Sequence, residues 1–298
     1  ELFQIAITSR TRVSRFGFGG RRVTDIIQWN QVPDLVLTTG RSPEHLVAKF
    51  SDMKPADIAQ ELHDLDPDRL VDVIDALDDE TLAEALEELP GDEQIKMISR
   101  LETNRAADVL AEMDPDDAAD LIKELPEAVA EDLLEHMEPE DASDVRRLLV
   151  YGEFTAGGMM TPEPVVLGTD ATVAEALAHI REEQLTPALA SMVFVTRPPL
   201  ETPSGRYVGA VHFQQLLRAA PTLMVATMLD HNLEPLNPDS PLAQVSRFFA
   251  TYNLVVAPVV DSDGALVGAV TVDDVLDHML PDDWRGTQMD EPVEVNHG

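Results

Sequence analysis

The sequence predicts a multidomain chain of α plus α/β class: an acidic, right-handed α-helical superhelix followed by two β-α-β-β-α units in tandem. Three observations carry this expectation. Similar segments begin near Ile58, Leu82, Ala106 and Ala130, a repeat of about 24 residues, within the 20–50 range that marks stacked supersecondary units. Inside these segments apolar residues keep helical spacing, as in Leu82, Ala85, Leu86 and Leu89 at i, i+3, i+4 and i+7. Beyond Thr161 strand-like and helix-like stretches alternate, and the same order occurs twice.

Composition narrows the function classes. The 298 residues include 56 acidic and 21 basic side chains, for a formal net charge of −35. Roughly 32 acidic and 8 basic residues fall in 51–150, a surface that repels nucleic-acid phosphates and anionic lipid and attracts cations. Nucleic acid is therefore not an expected partner; a plain solvated coat is the alternative reading of the charge. With no cysteine, disulfides and thiolate metal sites are excluded, which fits a cytoplasmic protein. No apolar run reaches 18 residues, so direct membrane insertion is not expected. No signal peptide opens the chain, and Glu1 reads as a truncated start.

Residues 1–41 have strand character in FQIAI, VTDIIQW and DLVLTTG, broken by the basic RTRVSRFGFGGRR. A small β-domain or a fragment of one is expected. Residues 42–153 read as the helical repeat domain, each repeat being two short antiparallel helices. Asp66–Pro67, Asp114–Pro115, Leu89–Pro90 and Leu125–Pro126 punctuate it: the residue before proline leaves the α region, and proline suits the first helical turn. Asp68, Asp116 and Asp117 then complement the helix N-terminal dipole. At YGEFTAGGMMT paired glycines break the pattern and mark a hinge. The first α/β copy is expected over 154–227, with strands at 165–167, 191–196 and 207–211 and helices at 173–183 and 213–218. The second, over 228–283, has strands at 234–236, 255–260 and 266–270 and helices at 242–251 and 272–278. A polar tail, 284–298, closes the chain.

The stretch GALVGAVTVDDVLD ends a strand and opens a helix with Thr271 and, three residues on, Asp274. It resembles the closing signature of the CBS-domain family, and MTPEPVVLGTDATVAEAL resembles that family's opening. The resemblance implies a tandem CBS pair with Thr271 and Asp274 facing an adenine-nucleotide cleft. There the hydroxyl and helix N-terminus would meet phosphate and the carboxylate would meet ribose. The first copy reads VGAVHFQQLL, with His212 and Gln215 at the matching positions, so at most one competent cleft for ATP or AMP is expected. The alternative is that Thr271 merely caps a helix and Asp274 is a surface charge.

Acidic helical repeats, YGEFTAGGMMT and a CBS pair in that order resemble the cytoplasmic region of the MgtE family of magnesium channels, over about residues 51–283. The resemblance implies Mg²⁺ held between the helical domain and the CBS pair, with cation binding favouring a compact arrangement. Carboxylate oxygens are the ligands that hard Mg²⁺ prefers. Asp274 and Asp277 are the metal positions it carries over, whereas a further acidic position, taken to lie on the preceding strand, is Asn253 here. Spacing alone adds the corner Asp114, Asp116 and Asp117, for which helix-start capping is the competing reading.

The resemblance also implies a homodimer through the CBS domains. The absence of a pore after HMLPDDWRGTQMD, and a PRC-barrel-like N-terminus, suggest a stand-alone soluble relative. Its expected function is a Mg²⁺- and adenine-nucleotide-sensing regulator of a separate membrane divalent-cation transporter, located in the cytoplasm or peripherally at the inner face of the membrane. A ligand-independent scaffold using the helical solenoid is the alternative. Nothing points to an enzyme: His63, His136, His179, His212, His231 and His278 are scattered, Ser/His/Asp and phosphate-loop patterns are absent, and the neighbours Glu87–Glu88 and Glu182–Glu183 face different directions on helices.

Overall fold

A computed structural model of the chain describes residues 4–9, 23–28, 43–51, 53–182, 185–230, 233–281 and 284. The chain forms two compact units, Glu1–Leu77 and Asp78–Gly298. In the first, β1 (Gln4–Ser9) and β2 (Val23–Gln28) make an antiparallel hairpin in the register Gln4↔Gln28 to Ser9↔Val23. The strand expected in DLVLTTG, the basic interruption and the polar tail beyond Trp284 lie outside the described residues. Helices α1 (Pro43–Phe50), α2 (Pro55–His63) and α3 (Pro67–Ala76) follow. They close over Phe50, Ile58, Leu62 and Ile74.

The second unit opens with α4 (Asp79–Glu87), α5 (Gly91–Ile98), α6 (Thr103–Glu112), α7 (Pro115–Glu124), α8 (Glu127–His136) and α9 (Pro139–Leu148). Proline sets the starts as the sequence predicts. It is the first helical residue of α3, α7 and α9, and it is the N-cap of α5 and α8, positions where its missing N–H costs nothing. Helices two apart in sequence pack together, giving a row α4–α6–α8 and a row α5–α7–α9. Between the rows lie Leu82, Leu86, Val109, Leu110, Ala118 and Leu148, nearly all fully buried. The period of the repeat is thus the period of the stack.

The first α/β copy holds β4 (Val166–Gly168), α10 (Val173–His179), β5 (Met192–Thr196), β6 (Tyr207–His212) and α11 (Phe213–Arg218). Its sheet runs β4-β5-β6, with β4 parallel to β5 and β5 antiparallel to β6. Every residue of β5 is buried, so both faces of this central strand are covered. Val193 and Val195 join Leu167, Val173, Val211 and Leu216 in one cluster; strand alternation sends Phe194 to the opposite face.

The second copy holds α12 (Leu242–Tyr252), β7 (Val256–Val260), β8 (Leu266–Thr271) and α13 (Val272–Asp277). Its third strand is β3 (Met160–Thr161), which comes from the N-terminal end of the first copy, ahead of β4, and pairs antiparallel with β8. Reciprocally, Asp230, on the way into the second copy, bridges Ala210 of the first.

Three local expectations are corrected. The helix at 173–183 ends at His179, because the Ile180 N–H bonds both Ala176 and Ala178 carbonyls and tightens the last turn. The strand at 234–236 is a single parallel bridge, Leu236↔Val259; Pro235 has no N–H to extend a ladder. Asn253 lies on no strand. It is the left-handed C-cap of α12 with φ 54°, a conformation asparagine tolerates better than most residues.

No helix among the described residues is long and apolar enough to cross a membrane. The joint between the helical stack and the α/β pair is tight. Its Ala156, Gly157 and Leu242 N–H groups bond the carbonyls of Ser240, Pro238 and Phe154. A Cβ on Gly158 would lie 2.3 Å from the Gly152 carbonyl oxygen. Gly158→Ala is therefore expected to cost about 1–3 kcal/mol, measured by denaturant unfolding; a midpoint equal to wild type would contradict it.

Candidate functional site: carboxylates between the helical stack and the second α/β copy

The N-terminus of α7 carries Asp114 as N-cap and Asp116 and Asp117 in the first turn. A carboxylate there gains from the free N–H groups and the dipole, but no side chain caps this helix. Instead the Asp114 N–H donates to a Glu87 carboxylate oxygen at 2.7 Å. Glu87 closes α4, and the stack brings it beside the start of α7. One carboxylate oxygen each from Glu87, Asp114 and Asp117 lies within 4.8 Å of the others.

Asp116 is 8 % exposed, and its Oδ1 has no hydrogen-bond partner. Burial raises its pKa well above the usual carboxylate range, with further upward pressure from Asp274, Asp117 and Asp114. Across from it, at the start of α13, burial pushes Asp274 up to about 7 despite the hydrogen bond from Thr271. Thr271 Oγ1 donates to Asp274 Oδ2 at 2.5 Å, and the Thr271 N–H donates to the same oxygen at 3.2 Å. Burial likewise raises Glu87 to about 7, and Asp114 is shifted upward by burial and by Asp273. In all four, partial or full loss of water together with neighbouring like charge outweighs the hydrogen bonds that Glu87 and Asp274 accept.

The sequence-predicted residues thus separate. Asp114, Asp116 and Asp117 share one helix start, and Asp116 lies under the charge of Asp274. Thr271 and Asp274 satisfy each other as the cap of α13, while Asp277 accepts from Trp284 Nε1 at 2.6 Å. In the first copy Gln215 is exposed and His212 makes no side-chain cap. Sequence reasoning missed Glu87, read only as a neighbour of Glu88. The signal was its distance of one repeat plus about three residues from Asp114, which a stacked geometry places side by side.

An orphaned buried carboxylate oxygen near a second, half-buried carboxylate fits a hard cation, as does an all-oxygen set of donors. Direct Mg²⁺ ligands lie at most about 4.2 Å apart across the ion. The Glu87–Asp114–Asp117 oxygens need only a small contraction, or an intervening water, to reach that.

Fold and site together define a class: an acidic helical-repeat domain joined to a pair of α/β modules through facing carboxylates. Residues 53–153 match the family model described as MgtE intracellular N domain, and residues 156–222 and 225–281 match the CBS domain model. The cytosolic domain of the Mg²⁺ channel MgtE, solved in complex with ATP, is 30% identical, with a TM-score of 0.70 over 82% of this chain and 97% of that one. The soluble part of a magnesium transporter has the same fold at 24% identity, with a TM-score of 0.73 over 82% of this chain and 94% of that one. The magnesium transporter MgtE of Thermus thermophilus is 36% identical over 133 residues, which make up 45% of this chain and 28% of that protein. The chain belongs to the MgtE family, as its intracellular N domain and CBS pair. It spans under a third of the length of the curated relatives it matches.

Proposed function

We propose that this chain is a cation-sensing regulatory module that binds Mg²⁺ between α7 and α13 and conveys the resulting arrangement to a membrane divalent-cation transporter. The observation that carries this reading is Asp116, a buried carboxylate with one oxygen unpartnered, under the charge of the half-buried Asp274 at the start of α13. Without a cation or a proton the pair repels, and the interface loosens. With Mg²⁺ present the same groups join the halves. A ligand that prefers one arrangement shifts the population toward it. The module acts by binding and catalyses nothing. Dimerisation through the CBS pair and a place on the cytoplasmic side of the membrane belong to the same proposal, supported by family membership.

An adenine nucleotide is a second ligand of this reading, supported by the relative solved with ATP. In the first copy Gln215 offers no carboxylate to a ribose. In the second, Asp274 is engaged with Thr271 and covered by Asp116, so a nucleotide would compete with the closed arrangement. The test is thermal unfolding with Mg²⁺ titrated into chelator-treated protein. At a hundred times Kd, stabilisation is about 2.7 kcal/mol, which for a unit of this size raises Tm by about 5–10 °C. An unfolding midpoint and a scattering profile both indifferent to millimolar Mg²⁺ would overturn the proposal and favour a ligand-independent scaffold.

A further inference from the structure

The helical stack meets the α/β pair through two acidic regions that differ in what offsets their charge. At the α7 end the facing groups are carboxylates and one imidazole, His278 Nε2 lying 3.7 Å from Asp120 Oδ2. At the α9 end a fixed cation, Arg147, stands among the carboxylates of Glu140, Asp144 and Glu163; it lies in the last turn of the helix, where it also complements the C-terminal dipole. Its Nη1 donates to the carbonyl of Thr202 in the proline-rich hairpin of the first copy. Its Nη2 donates to Asp144 Oδ1 on its own helix at 2.6 Å. The hairpin is fixed in turn: Thr202 Oγ1 donates to the Pro162 carbonyl, and the Ser204 N–H donates to Leu266 of the second copy. A cleft of about 590 Å³ joins the two regions, with Asp114 in its wall as well as Arg147, Thr202, Asp144 and Glu163. Burial raises the pKa of Glu163, Asp144, Asp114 and Asp141 raise it further, and Arg147 pulls it back.

This asymmetry decides what cation loss does. Removing Mg²⁺ leaves the α7 carboxylates unscreened, whereas at the α9 end the Arg147 guanidinium still donates across the halves to the Thr202 carbonyl. Arg147 and Asp144 have side chains 28% and 23% exposed, enclosed enough that salt screens the pair less than a surface pair. We infer that Arg147 is a metal-independent latch, and that the helical stack and the α/β pair pivot about it when the carboxylate end opens. The inference rests on the cation-sensing reading above and adds where the motion is anchored. Arg147 acts through Thr202 and Asp144; it is a positioning residue and no ligand of the cation.

The chain has no cysteine, so spin-label pairs can be placed uniquely. One pair, at Glu112→Cys and Thr251→Cys, spans the carboxylate end; the other, at Ser143→Cys and Glu201→Cys, spans the latch. All four positions are exposed. Distances are measured by pulsed electron resonance with Mg²⁺ and with chelator, in full-length chains diluted with unlabelled protein. Chelation is expected to lengthen and broaden the first distance and leave the second unchanged. In Arg147→Ala both are expected to change on chelation. Arg147→Lys, which keeps the charge and loses the fork, should fall between. If both distances shift together while Arg147 is intact, the latch is wrong and the cation reading stands. If neither responds to chelation, the cation reading fails and the pivot fails with it. If chelation moves only the first pair in Arg147→Ala as well, something other than Arg147 anchors the α9 end.

Discussion

Asp116→Asn is expected to hold the α7–α13 interface closed without added cation and to remove most of the Mg²⁺ dependence of Tm. Asparagine keeps the shape of aspartate, removes the buried one of the two charges, and offers an amide donor toward Asp274. The same logic fixes the pH dependence. Loss of water pushes Asp274 up to about 7 in the folded chain from the 3.8 of an ordinary aspartate. The folded chain therefore holds a proton that the unfolded chain has released between about pH 4 and pH 7. Stability falls as pH rises through that window, and the full cost, no more than about 4 kcal/mol, is present above it. Glu87, raised to about 7 from 4.5, acts in the same sense. Cation-free wild type should therefore melt at a higher temperature at pH 5 than at pH 8. Mg²⁺ should flatten that difference, and Asp116→Asn should flatten it without Mg²⁺. Equal Mg²⁺ responses in wild type and Asp116→Asn would show that the buried pair is not where the cation acts.

Phe194→Ala is expected to be the most damaging single truncation in the α/β pair. Phe194 is fully buried on the central strand β5, facing away from the valine cluster that holds α10 and α11. Truncation leaves a cavity that β4 and β6, hydrogen-bonded on either side, cannot collapse to fill. The expected loss is about 3–5 kcal/mol, read as a shift in the guanidinium midpoint at unchanged slope. A loss below about 1 kcal/mol would mean that the aromatic ring is not wedged as its burial indicates.

The helical half was the most legible in sequence, because its determinants are local. Pro67, Pro115 and Pro139 start helices through backbone sterics that need no tertiary partner, and Leu82 and Leu86 announce the buried face by spacing alone. The site was legible only in part. Asp114, Asp116 and Asp117 stood out as a cluster, but that Asp114 and Asp117 lie beside Glu87, and that Asp114 and Asp116 lie within electrostatic reach of the start of α13, depends on packing. Glu87 carries no local mark at all. Thr271 and Asp274 matched a motif, yet the motif does not reveal that α7 lies over them. Asn253 was misplaced because a helix cap and a strand start look alike where an apolar run follows. The segment at 234–236 failed because a proline within three residues leaves too few donors for a ladder.

The exchange of β3 and Asp230 between the two CBS copies has a consequence for how the chain can be cut, copied or recombined. A boundary drawn between residues 222 and 225 separates two sequence matches, but it does not separate two physical objects. A fragment carrying the second copy alone lacks the strand that flanks β8, and its sheet would present an unpaired edge prone to joining another chain. The first copy alone loses the bridge to Ala210. The pair is therefore the smallest heritable block: duplication or shuffling of one copy would yield sticky fragments, and the two copies are expected to melt in a single transition.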